Sequence, residues 1–166
     1  NNKNIIMAAQ QCIPFAEGKR VVVIPTATVP QGISAMLELD PDAPEADNTA
    51  AMTEAIGRVR TAEITHAARD SDFDGAAISQ GDYLALSEHQ LFGTDRDIDA
   101  LLDRLAHDAP QQEAEFITLF YGEDVSEEEA QRAQAQFIAA CPNAEVTLIS
   151  GGQPVYYYII SAEQGE

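Results

Sequence analysis

Basic side chains are scarce: nine Lys and Arg in 166 residues, beside two cysteines and no tryptophan. The cysteines, Cys12 and Cys141, lie far apart with no CxxC pair, which excludes a disulfide framework and a thiolate zinc site. Both read as small, reduced residues in or near a core. His66, His89 and His107 fall on different elements, and none stands at ligand spacing from another histidine or a cysteine. They read as structural or surface side chains. Walker A, GxGxxG and GxSxG are all missing, so neither a nucleotide loop nor a nucleophile elbow marks a self-sufficient enzyme. No apolar run approaches the roughly 18–20 residues needed to span a bilayer, and no signal-peptide pattern opens the chain. The expectation is a cytoplasmic protein without membrane insertion. The first residue is Asn1, not Met, and the polar turn Asn1-Asn2-Lys3-Asn4 runs straight into an apolar stretch. A natural chain extending upstream is therefore expected.

Acid is abundant. The formal net charge is −19, from 28 acidic and nine basic residues. It is unevenly placed: residues 1–60 hold five basic and seven acidic side chains, residues 61–166 four and 21. A field of that sign repels nucleic acid and anionic membranes. It speeds encounter with a basic protein, or it simply keeps the domain soluble. The hydrophobic content of 45% is enough for a real core.

The apolar pattern predicts a helix from Ile5 to Phe15, closed by Pro14 and Gly18. Val21-Val22-Val23-Ile24 has the look of a strand buried on both faces. A short helix opening at Pro30-Gln31-Gly32 would point Ile33, Met36 and Leu37 inward. After a polar loop at 40–47, Asp47 or Asn48 can cap a helix over about 49–60. Beyond residue 61 the pattern becomes a meander, with strands at 62–68, 76–78, 83–86 and 90–92. His66 there shares a strand face with Ile64. Thr94 is placed to cap a helix over 95–107. A strand at 115–121 precedes Ser126 and Glu129, the spacing of a capping box, on a helix reaching Ala140. Strands at 146–149 and 155–161 end the chain. The fold class is α/β, with a partial parallel α/β subdomain over 1–61. The second subdomain, over 62–166, combines the β-meander with two helices.

No catalytic residue is expected, and no metal. The run Asp70-Ser71-Asp72-Phe73-Asp74-Gly75 lacks the closing Glu and the flanking helices of a calcium loop and reads as an acidic turn. A ligand crevice is conceivable beyond the carboxyl end of the 21–24 strand, where Asn2, Asn4, Thr26, Thr28, Gln31 and Gly32 would gather near helix N-termini. Capping and turn formation explain the same residues equally well. Candidate acidic docking surfaces are the 38–47 segment (Glu38, Asp40, Asp42, Glu45, Asp47), the 70–74 turn (Asp70, Asp72, Asp74) and the head of the 127–140 helix (Glu123, Asp124, Glu127, Glu128, Glu129).

Four motifs carry a resemblance that spans nearly the whole chain: "NNKNI", "VVVIPTATVPQGISAML", "YGEDVSEEEAQ" and "GGQPVYYYIIS". Together they resemble the C-terminal domain of the bacterial fatty acid kinase A protein, in a family also described as dihydroxyacetone-kinase-related. The resemblance implies two α/β subdomains similar to a DegV-like fatty-acid-binding protein, the first N-terminally truncated here. It implies a non-catalytic domain that docks the basic surface of a fatty-acid-binding B subunit through an acidic groove. ATP and magnesium would belong to a kinase domain outside this stretch, and no cofactor is implied within it. The alternative is a small-molecule domain that binds a lipid or a phosphate in the crevice.

Overall fold

Helix α1 (Lys3–Cys12) starts where Asn2 can cap it: the Asn2 Oδ1 accepts from the Ile5 N–H at 2.9 Å. A single 3-10 turn, Ile13–Phe15, follows around Pro14. The computed structural model describes residues 2–73 and 76–165. It divides after Val59 into two units, Asn1–Val59 and Arg60–Glu166.

The first unit is built from helices. α2 (Val29–Leu37) is capped by Thr28, and α3 (Glu45–Arg58) packs against it. The strand expected at 21–24 does not form. The segment takes no regular structure and pairs with no strand among the described residues, and Val21 and Val22 are exposed. β-branched residues favour extended backbone, but a strand needs a hydrogen-bonded neighbour. The inward face of α2 is also the reverse of the expectation. Pro30, Gln31, Ser34 and Ala35 are buried, whereas Ile33, Met36 and Leu37 are exposed. α3 begins before Asp47 and Asn48 because Pro44 takes the cap position, with Glu45 and Asp47 in the first turn. Asn48 instead reaches back from inside the helix. Its amide accepts from the Asp40 N–H at 2.8 Å and donates to the Asp40 and Ala43 carbonyls, holding the loop. Cys12 is exposed, against the expectation of a core residue, because α1 buries none of its side chains. Cys141 is buried.

The remaining elements are β1 (Val59–His66), β2 (Ser71–Phe73), β3 (Ala76–Ile78), β4 (Tyr83–Ser87), β5 (Gln90–Asp95), α4 (Ile98–Ala106), the one-turn α5 (Ala109–Gln112), β6 (Phe116–Tyr121), α6 (Glu127–Ala140), β7 (Glu145–Ser150) and β8 (Tyr158–Glu163). A six-stranded sheet runs in the order β5-β4-β1-β8-β6-β7, and β2 and β3 form a separate antiparallel hairpin. The meander β1-β4-β5 is antiparallel, and β6 and β7 are parallel across the α6 crossover. A two-residue turn joins β4 to β5 with Glu88 and His89 at φ 49° and 64°. That left-handed pair is unfavourable for such side chains. The Glu88 carboxylate offsets it by accepting from the Thr61 N–H at 2.6 Å. α4 is capped by Asp97, not Thr94, which lies within β5. Leu101, Leu102 and Leu105 of α4 are fully buried with Phe137 of α6, Ile117 and Leu119 of β6, Ile64 of β1 and Ile160 of β8. His66, two residues beyond Ile64, is exposed and meets the Tyr157 ring edge-on at 5.8 Å.

Candidate functional site

The loop after β6 shapes one end of the second unit. Gly122 follows Tyr121 where the 151–157 loop passes close by. A Cβ at Gly122 would stand 2.3 Å from the Tyr156 carbonyl oxygen and 2.7 Å from that of Gln153. Only glycine allows that approach. The Glu123 N–H donates to the Gln153 carbonyl at 3.0 Å, and the Gly122 N–H to that of Tyr157 at 2.9 Å, tying the loops together. Ser126 then starts α6 with a full capping box. Its hydroxyl accepts from the Glu129 N–H, and the Glu129 carboxylate accepts from the Ser126 N–H at 2.9 Å and its hydroxyl at 2.6 Å. Those hydrogen bonds hold the Glu129 carboxyl below the usual carboxylate range.

Beside this helix start lies a pocket of about 200 Å³, walled by Tyr83, Tyr157 and Tyr158, by Ile98 and Val125, and by Asp99, Asp124, Glu129 and Arg132. Tyr83 and Tyr157 meet edge-to-face at 5.3 Å. Burial pushes the Tyr158 hydroxyl well above its ordinary value, with the Glu129 and Asp99 carboxylates adding to it and Arg132 opposing. Burial also raises Tyr157, with contributions from Tyr83 and Asp124. The structure thus brings two of the predicted docking residues, Asp124 and Glu129, to one pocket. Glu123, Glu127 and Glu128 stand exposed on the same loop and helix turn. Glu127 accepts from the Gln131 amide at 3.2 Å, and Glu128 lies 3.8 Å from Arg132. Sequence reasoning missed Asp99 and the three tyrosines. The run Tyr156-Tyr157-Tyr158 was visible, but only the fold shows that Tyr157 and Tyr158 line one pocket with Tyr83 from another strand.

The other acidic candidates are scattered. Glu38 is half-buried and paired with Arg58 at 2.6 Å, and Glu45 is paired with Arg20 at 2.6 Å. Asp40 accepts from the Asp42 N–H at 2.9 Å in a local turn, and Asp47 is exposed on α3. Asp70 accepts from the Gln80 N–H at 2.7 Å, and Asp72 is exposed on β2. Asp74 lies outside the described residues.

The proposed crevice is only partly assembled. Thr26, Thr28 and Gly32 border an open, apolar depression of about 470 Å³ with Val29, Ile33, Met36 and Leu37. Asn2 caps α1, Asn4 is an exposed residue of that helix, and neither lies in the wall of this depression. The polar atoms near it serve the helix start: Thr28 Oγ1 accepts from the Gln31 N–H at 3.3 Å, and Gln31 Oε1 from the Ala27 N–H at 2.8 Å. Among the described residues no group of three His, Cys, Asp or Glu could hold a metal ion. No helix among them is long and apolar enough to cross a membrane.

The sequence profile of the FakA-like C-terminal family, the C-terminal domain of fatty acid kinase A-like proteins, matches residues 1–163. The chain belongs to that family. It is 38% identical over 163 residues to Protein YloV of Bacillus subtilis (strain 168), covering 98% of this chain and 29% of that protein. An uncharacterized protein of Staphylococcus haemolyticus (strain JCSC1435) is 33% identical, with 98% of this chain and 29% of that one covered. This FakA-like C-terminal domain thus spans under a third of the length of those relatives. Its fold is similar to the DegV family protein Cg2579 of Corynebacterium glutamicum (TM-score 0.67, 16% identity, 96% of this chain and 69% of that chain). It is also similar to the Streptococcus pneumoniae fatty acid kinase (Fak) B3 protein loaded with linoleic acid (TM-score 0.59, 11% identity, 98% and 66%). The family assignment carried by the four sequence motifs therefore stands, as does the DegV-like α/β fold.

Proposed function

We propose that this chain is a non-catalytic docking domain of a fatty acid kinase, and that it binds the basic surface of a fatty-acid-binding partner protein. The observation that carries the reading is the acidic head of α6. Glu123, Asp124, Glu127, Glu128 and Glu129 stand exposed within one loop and one helical turn. Family membership supports the same reading. Residues 60–166 hold 21 acidic side chains against Arg60, Arg69, Arg96, Arg104 and Arg132, a balance of −16. Such a field steers a basic protein into encounter more than it tightens the final complex. Stopped-flow association with a basic DegV-like fatty-acid-binding protein tests this directly. Charge reversal of Glu127 and Glu128 should lower the on-rate on the order of tenfold and change the off-rate by less than about twofold. An unchanged on-rate removes the α6 head from the interface.

A second reading is favoured by the apolar depression beside α2, whose wall of Val29, Ile33, Met36 and Leu37 suits an acyl chain better than a phosphate. The hydroxyl of Thr28 and the amide of Gln31 there already accept from backbone N–H groups. Lipid recovered by mass spectrometry from the purified chain supports this reading. No lipid in the extract, and no response to added fatty acid, counts against it.

A further inference from the structure

The pocket beside α6 has a composition that solubility does not require. Tyr158 is 2% exposed, lines the pocket, and its hydroxyl has no hydrogen-bond partner among the described residues. The hydroxyl oxygen is not among the buried unsatisfied atoms, so it opens to the pocket, where an entering group can reach it. Two further tyrosine rings, Tyr83 and Tyr157, complete an aromatic wall, and Asp99, Asp124 and Glu129 supply three carboxylates. The pocket lies at the first residues of α4 and α6, and each helix start contributes about +0.5 charge. Arg132 adds one positive charge, while its head also lies near Glu128 on the outer face. Three carboxylates against Arg132 and two helix ends leave the pocket negative.

We propose that this pocket seats a guanidinium, the tip of an arginine side chain of a basic partner protein, against Tyr83, Tyr157 and Tyr158 and among Asp99, Asp124 and Glu129. Aromatic rings attract a cation through their electron-rich faces, and a guanidinium stacks on them better than an ammonium does. Its five donors suit several separate acceptors, here the carboxylates and the unpaired Tyr158 hydroxyl. A guanidinium is also less strongly hydrated than an ammonium, so it enters a half-enclosed site at lower desolvation cost. The volume of about 200 Å³ is ample for one side-chain tip. The inference rests on the docking reading and gives it a point of attachment.

The test is an NMR titration of the chain with an acetylated, amidated Gly-Arg-Gly peptide, and with the same peptide carrying citrulline, arginine's neutral isostere. Saturable shifts of the Tyr83, Tyr157 and Tyr158 ring resonances are expected with arginine, and binding about tenfold or more weaker with citrulline. Asp99→Asn and Asp124→Asn should each weaken the arginine response about tenfold. Tyr158→Phe should weaken it by about half that, with the ring retained. No saturable shift, or equal response to citrulline, overturns the proposal. The partner protein separates the two ideas. If it binds and Asp99→Asn/Asp124→Asn leaves its affinity unchanged, the arginine site is wrong and docking stands. If it does not bind while the arginine peptide does, docking is wrong and the pocket stands.

Discussion

At the residue scale, Ser126 and Glu129 set the start of α6 by exchanging hydrogen bonds. Ser126→Ala removes one acceptor and should cost about 1 kcal/mol in denaturant unfolding. The pH dependence has a defined sign. The Glu129 carboxyl is held below its unfolded value, so its contribution is present above that value and fades as pH falls through the folded one. The gap between wild type and Ser126→Ala should therefore narrow on acidification from neutral pH. A gap that widens contradicts the capping account. Glu63 behaves oppositely. Burial raises its carboxyl, with His89 opposing and Glu88 adding. A raised folded value means that its relative stabilisation is greatest in acid and is lost as pH rises through that value. Glu63→Gln should gain stability over wild type at neutral pH and lose the gain in acid, as read by thermal unfolding at several pH values. Gly122 leaves no room for a side chain beside the Tyr156 and Gln153 carbonyls. Gly122→Ala should cost about 1–3 kcal/mol, and the same unfolding assay reads it. The capping box was legible from a three-residue spacing. The Gly122 contact was not, because it depends on a loop roughly thirty positions downstream.

At the scale of elements, period and punctuation located most helices and strands. Leu101, Leu102 and Leu105 showed the inward face of α4 directly. Two local signals misled for physical reasons. The β-branched run Val21–Ile24 has the composition of a buried strand, but pairing is a property of neighbours, and none is present among the described residues. Amide hydrogen exchange should separate the cases. Val21 to Ile24 should exchange close to unprotected rates, while Ile159 to Ala162 of β8, paired within the sheet, should be among the slowest. Strong protection at 21–24 contradicts the unpaired assignment. In α2 the larger apolar residues face out and Pro30, Gln31, Ser34 and Ala35 face in. Hydrophobicity alone does not choose between these two faces, because the buried one carries Gln31 and Ser34. Truncating the true core is a separate check: Phe137→Ala, at a fully buried site, should cost about 3–5 kcal/mol.

At the scale of the whole molecule, family and fold class were legible in the sequence because four separated motifs carried the resemblance. The site was only half legible. Charge counting offered the α6 head as one of three acidic surfaces, but composition could not tell that Asp99 and three tyrosines from other elements join Asp124 and Glu129 in one pocket. Nor could it show that Glu38 and Glu45 are committed to Arg58 and Arg20. The docking account makes electrostatics the organiser of the encounter, and salt screens such fields over a Debye length. The most direct test is calorimetric binding of this chain to a basic DegV-like fatty-acid-binding protein at about 50 mM and about 500 mM salt. The account predicts clear binding at low salt that weakens at least about tenfold at high salt. No binding at low salt, or binding indifferent to salt, contradicts it.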